Sequence, residues 1–195
     1  MSPTAKIVDP AEFVQSFTAT KYKEGIEVWR DAETPADLIF ALRTLKAPKA
    51  AYAEISAALA EEVLPAFEKK YPCDLRPRKA VEAAKAWIKN RTAANARAAE
   101  EASNDAWHAA DYATDATLMM VANDGAADAA SAAYNAAAVA SAAYPIFNAC
   151  HVEGDYTIYA IYGTVDAAKT GIPNQRILDT IKEVGYRYFS FLKPS

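Results

Sequence analysis

Cysteine, histidine and glycine are scarce in this chain of 195 residues, which holds two, two and six of them. Two cysteines, Cys73 and Cys150, cannot form a disulfide framework, so a reducing cytoplasm is the expected setting. The six glycines are isolated from one another and form neither a phosphate loop nor a dinucleotide fingerprint. The first residues, Met1-Ser2-Pro3-Thr4, lead into polar sequence rather than a basic start followed by an apolar stretch, so no secretory signal is expected. Residues 129–152 contain no Asp, Glu, Lys or Arg, and that run is long enough to span a bilayer. It consists largely of Ala, Ser, Asn and Tyr, with Pro145 inside; Ala gains little on insertion, and Asn135 and Asn148 oppose it. A buried helix in a soluble bundle, with no membrane partner, is the better expectation.

What the chain has in excess is alanine, about a quarter of all residues and nearly half of residues 80–143. Alanine is the best helix former and a poor strand former. The composition therefore predicts an all-α fold: a single Ala-rich bundle or short α-solenoid of about seven to eight helices. A chain of this length makes one domain. Residues 1–48 supply N-terminal helices, 49–150 the alanine-dense core and 151–195 aromatic C-terminal helices. An alanine face is thin, so helix axes approach closely, near the short end of about 8–10 Å. Such faces also permit packing between chains, which leaves self-association open. Trp87, Trp107, Leu118, Met119, Met120, Tyr134 and Tyr144 are expected to supply the bulk of that core.

Helix punctuation is readable along the chain. Asp9-Pro10-Ala11-Glu12 and Thr34-Pro35-Ala36-Asp37 share a start signature: a capping residue, Pro in the first turn and an early acid. The second start opens a helix to about Leu45, and residues 24–31 form another before it. Tyr52, Ile55, Leu59, Val63 and Phe67 recur at helical spacing over 49–70, with Pro65 predicting a kink or break near Glu61–Leu64. Asp74 is expected to cap a helix that carries Ala80, Val81, Ala84, Trp87 and Ile88 inward, and Thr92 to cap a long helix to about Ala122. Asn123-Asp124-Gly125 breaks it, and a further alanine helix runs over 126–144. The Tyr156, Tyr159, Tyr162 spacing favours helix over strand, and a last helix follows over 173–192, weakened at its centre by Gly185.

Charge is uneven. Residues 68–91 carry eight basic and three acidic side chains, whereas 92–150 carry one basic and seven acidic. The expectation is that these regions face each other and partly neutralise. Trp87 lies inside the basic cluster, but nucleic-acid binding calls for a pI above about 9, and the whole-chain value is about 5.3 with a net charge of −4. Nucleic acid is therefore an unfavoured partner.

Glu101, Asp105, His108, Asp111 and Asp115 recur at helical spacing on one stripe. An acid three residues before a histidine matches the carboxylate–histidine spacing of di-metal bundles, but such a site needs a second copy, and Cys150-His151-Val152-Glu153 is not one. The expected reading is a polar outer face that docks a basic protein, with no metal and no cofactor. The alternative is a small-ligand or metal-binding enzyme with a pocket around His108 and Asp111. Cys150 and His151 are sequence neighbours and point apart, so no nucleophile–base pair, and no enzyme activity, is expected from them.

The stretch from Ala53 to Trp87 resembles the opening of an immunity-protein family found in bacterial toxin–immunity loci and phage genomes. The shared pattern is a helix ending Val63-Leu64-Pro65, then Tyr71-Pro72, then Arg76-Pro77-Arg78-Lys79-Ala80 and Trp87, followed by Ala-rich helices. The similarity covers about residues 50–150. It implies an all-α domain that binds and blocks another protein, a toxin or a host defence protein, as an immunity protein or as phage counter-defence. It implies no catalytic residues. Arg76, Pro77, Arg78 and Trp87 match the motif, and Arg78 is expected to pair with Glu82 or with an acid on the next helix.

Overall fold

A computed structural model describes residues 23–120, 130, 131, 133, 134, 156–169 and 171–193. Every regular element among them is helical: α1 (23–31), α2 (Pro35–Thr44), α3 (Lys49–Lys70), α4 (Arg76–Lys89), α5 (Ala93–Met120), α6 (Tyr156–Ala168) and α7 (Asn174–Tyr188), then a 3₁₀ turn at Ser190–Leu192. The fold is an all-α bundle. Residues 130, 131, 133 and 134 are also helical. The start at Asp9–Glu12, the breaker at Asn123–Gly125, the rest of the 126–144 helix and the Cys150-His151 pair lie outside the described residues. So do the side chains of Asp115, Leu118, Met119, Met120 and Tyr144.

Local chemistry sets the helix ends. The Thr34 side chain accepts from the Asp37 backbone N–H at 3.2 Å, and the Asp37 carboxylate accepts from the Thr34 backbone N–H at 2.9 Å. This reciprocal capping box starts α2. The Thr34 hydroxyl also donates to the Asp37 carboxylate at 2.7 Å, and that bond, with the one from the Thr34 backbone N–H, holds the Asp37 carboxyl below its ordinary range. Helix α2 stops at Lys46, whose φ of 56° lies in the left-handed region. The Lys46 N–H reaches the Arg43 carbonyl and the Ala47 N–H the Leu42 carbonyl, the paired bonds of a Schellman ending. Thr92 accepts from the Asn95 N–H at 3.2 Å, and the Asn95 side chain donates to the Ala86 and Asn90 carbonyls, binding the end of α4 to the start of α5.

Helix α3 is the centre of the bundle and packs on α4, α6 and α7. Its buried residues, among them Tyr52, Ile55, Leu59, Leu64 and Phe67, point in several directions, as a helix with neighbours on several sides requires. Each large side chain so buried contributes roughly 1.5–3 kcal/mol. The expected break at Pro65 is absent; α3 runs unbroken to Lys70. Pro65 lies on the exposed side of the helix, where water can serve the Glu61 carbonyl that loses its amide partner.

Helices α4 and α5 form an antiparallel hairpin. The buried positions of α5 are Ala96, Ala99, Ser103, Ala106, Ala110 and Ala113, an alternating three-and-four spacing that makes one straight seam of small residues. Ala109 is buried beside it. From α4, Pro77, Ala80, Val81, Ala84 and Trp87 are buried. Trp107 does not join the core as expected: it is 49% exposed, because it falls one residue off the seam that passes through Ala106. At 1.5 Å per residue, α4 is about 21 Å long and α5 about 42 Å, so the second half of α5 extends past the start of α4.

Helix α7 packs on α2 and α3 and buries Ile177, Leu178, Ile181 and Val184. Gly185 is the point of closest approach rather than a weak spot. A Cβ there would meet the Cη2 atom of Trp29. The helix ends at Tyr188, and Phe189 leads into the 3₁₀ turn.

Candidate functional site

The motif residues Arg76 and Arg78 lie at the start of α4, but the structure turns both inward on the chain. Arg78 donates Nε and Nη2 to the two carboxylate oxygens of Glu68, at 2.7 and 2.9 Å, and Nη1 to Glu61 at 2.7 Å. Both acids belong to α3, the preceding helix, so the expected pairing with Glu82 or with the following helix is corrected. The reason is geometric: α4 runs antiparallel to α3, and the crossing brings residues ten and seventeen positions earlier to the guanidinium. A fork held by two carboxylates is a strong, directional arrangement, and it raises the Arg78 pKa. Lys85 also reaches Glu61, at 2.5 Å. Its hydrogen bond is the main reason that the Glu61 carboxyl titrates below its ordinary range, helped by Arg78 and opposed by burial.

Arg76 closes on Asp74 through Nε at 2.9 Å and Nη2 at 2.6 Å. Asp74 also accepts the Arg76 backbone N–H at 3.1 Å. The cap position is Leu75 rather than Asp74, yet Asp74 still serves a first-turn donor from one residue further out. The Arg76 side chain lowers the Asp74 pKa. Pro77 occupies the first turn and is buried, as is Trp87. Arg76, Pro77 and Arg78 thus fix the start of α4, and Arg78 ties it to α3. Within the basic stretch Arg78 and Lys85 pair with α3 and Arg76 with Asp74, rather than with the acidic region after it, although Asp105 on α5 lies near enough to Arg76 to raise its pKa.

A parallel set of contacts fastens α7 to α3. Arg176 donates to Glu62 at 2.9 Å, and Thr180 donates to the same carboxylate at 3.3 Å. Tyr188 donates to Glu54 at 2.5 Å and accepts from Arg91 at 3.3 Å. Burial and the Glu54 carboxylate push the Tyr188 hydroxyl up to about 12. None of these four partnerships across the bundle is visible in local sequence.

The acidic stripe is the other candidate, and it faces outward. Glu101, Asp105, His108 and Asp111 are all exposed on α5, while Ala99, Ser103, Ala106 and Ala110 are buried on its opposite side. No hydrogen bond or ion pair holds Glu101, Asp105 or Asp111 among the described residues. His108 stacks edge-on against Trp107 with ring centroids 4.8 Å apart. On the other flank Tyr112 is 59% exposed and meets Tyr71 edge-on at 5.8 Å; Tyr71 in turn leans on buried Phe67 at 5.0 Å. A file of rings therefore leads from the core to the surface. A shallow depression lies beside it, lined by Lys70, Tyr71, Pro72, Cys73, Asp74 and Tyr112. His108 and Asp111 face solvent rather than a space between helices. Among the described residues no three His, Cys, Asp or Glu side chains stand close enough to share a metal ion. Nor is any described helix long and apolar enough to cross a membrane.

No family model matches this chain, and no curated protein or solved structure matches it. Trp107 and Tyr112 are the surface residues that sequence reading placed elsewhere or passed over. The signal that finds them is the run of small residues at 96, 99, 103, 106, 110 and 113, which leaves both aromatics off the seam.

Proposed function

We propose that this chain is a protein-binding inhibitor of the immunity kind, acting in the cytoplasm on a toxin or, as phage counter-defence, on a host defence protein. The docking surface is the outer face of α5, with Glu101, Asp105, His108 and Asp111 beside Trp107 and Tyr112; Asp115 continues the same spacing in sequence. The observation that carries the reading is the combination of half-exposed aromatic rings with exposed carboxylates, Glu101, Asp105 and Asp111, that make no hydrogen bond or ion pair among the described residues. Aromatic side chains with a polar handle dominate binding energy at protein interfaces. Exposed carboxylates attract and orient a basic partner. The opposite side of α5 is buried from Ala96 to Ala113, so the helix is ordered before a partner arrives and little ordering cost accompanies association. The resemblance of residues 50–150 to immunity proteins points the same way.

The test is capture from low-salt host lysate on the immobilised chain, with Trp107→Ala and Asp105→Lys/Asp111→Lys run in parallel. One basic protein should be retained by the native chain and depleted at least tenfold by either variant, which corresponds to about 1.4 kcal/mol or more. Added salt should weaken retention further. Equal recovery by all three chains, or no specific species on the native one, counts against the α5 face.

A further inference from the structure

Where the first and last described helices meet, α1, α7 and the 3₁₀ turn surround a cleft of about 500 Å³. That size lies within the roughly 300–1,000 Å³ of small-molecule sites. Trp29, Tyr186 and Phe191 supply aromatic walls, and Arg30, Lys182 and Lys193 supply charge. No acidic residue is among the eight that line it, although acids outnumber bases 25 to 21 in the chain. None of the three cations forms an ion pair among the described residues. Elsewhere the bases flanking the bundle, such as Arg78, Lys85 and Arg176, are matched by carboxylates.

A second, independent feature marks the same place. Trp29 is 2% exposed, the most buried of the lining residues, and its indole Nε1–H has no hydrogen-bond partner. A buried donor left unmade is costly and uncommon, and here it belongs to the ring that walls the cleft, so its N–H resonance reports on what occupies that space. The ring itself is immobilised between Gly185, which leaves no room beyond it, and the edge of Tyr186 at 5.8 Å.

We propose that this cleft binds a small amphipathic carboxylate, its head among Arg30, Lys182 and Lys193 and its apolar body against Trp29, Tyr186 and Phe191. Cations alone would accept any anion, and aromatic walls alone would accept any apolar body; the two together select a molecule with both ends.

Decanoate is the probe, with decanol and inorganic phosphate as controls for body and head. The readout is the Trp29 indole N–H resonance of the ¹⁵N-labelled full chain, one of three such signals, assigned by elimination with Trp87→Phe and Trp107→Phe. Decanoate should shift that resonance saturably, while decanol and phosphate at equal concentration leave it in place. Arg30→Glu/Lys182→Glu should weaken decanoate at least tenfold. Lys193→Glu, an exposed change beyond the last helix that does not threaten folding, should weaken it at least threefold. An absent or unsaturable shift, an equal shift with either control, or unchanged affinity in Lys193→Glu overturns the proposal.

Discussion

A methyl group added at Gly185 has nowhere to go. Its Cβ would lie 2.1 Å from Trp29 Cη2 and 2.7 Å from Cζ2, and the indole is itself packed on Tyr186. On an exposed helix, Gly→Ala stabilises by lowering the freedom of the unfolded chain. Here overpacking outweighs that gain. Gly185→Ala should cost at least about 1–3 kcal/mol, read as a lower urea midpoint at unchanged slope. A neutral or stabilising result would mean that Trp29 can move aside freely. The glycine stood out in the sequence, but only as a poor helix former. Its reason lies on α1, more than 150 positions earlier, and no local pattern indicates it. Arg78 teaches the same lesson. Its spacing to Glu82 suggested a partner, while the real partners, Glu61 and Glu68, depend on how α3 and α4 cross.

Helix α5 shows what a single element can and cannot reveal. Its start was legible because Thr92 and Asn95 act within one turn of each other. Its inner face was not, because alanine is found on every side of it. On such a helix, large residues are poor markers of the core: Trp107 and Tyr112 are both exposed. The close approach of α4 and α5 depends on the small side chains of the seam. Ala106→Leu, at the buried centre, should therefore force the helices apart and cost about 1–3 kcal/mol. Ala98→Leu on the exposed face of the same helix should stay within about 0.5 kcal/mol. Paired thermal melts separate the two. If both variants melt together, the seam is not what sets the spacing. Helix α3 gives the converse case, since Pro65 was conspicuous in sequence and harmless where it falls.

For the molecule as a whole, carboxylates on or beside α3 tie the bundle together. Glu61 and Asp74 both titrate below their ordinary values because of bound cations. A depressed carboxylate contributes stability that is present above its unfolded pKa and lost as pH falls through its folded one. Their reference values are 4.5 and 3.8, so their contribution should hold from neutrality down to about pH 5 and fade below that. Glu61→Gln should be less stable than the native chain at pH 7 and should lose less of its stability on acidification. Urea midpoints across pH measure this, and parallel curves for the two chains would show that the clasp around Arg78 contributes nothing.

Alanine content, caps and hydrophobic spacing were enough to read an all-helical chain, most helix starts and the inward faces of α4 and α7. These properties arise within one or two turns, where backbone propensity and side-chain capping act. The clasps from Arg78, Arg176 and Tyr188, the fit of Gly185 under Trp29, the outward rings of α5 and the cationic cleft all arise where distant segments cross. Which of several similar alanine faces turns inward is settled by close packing among helices, and that energy exists only once the helices have assembled.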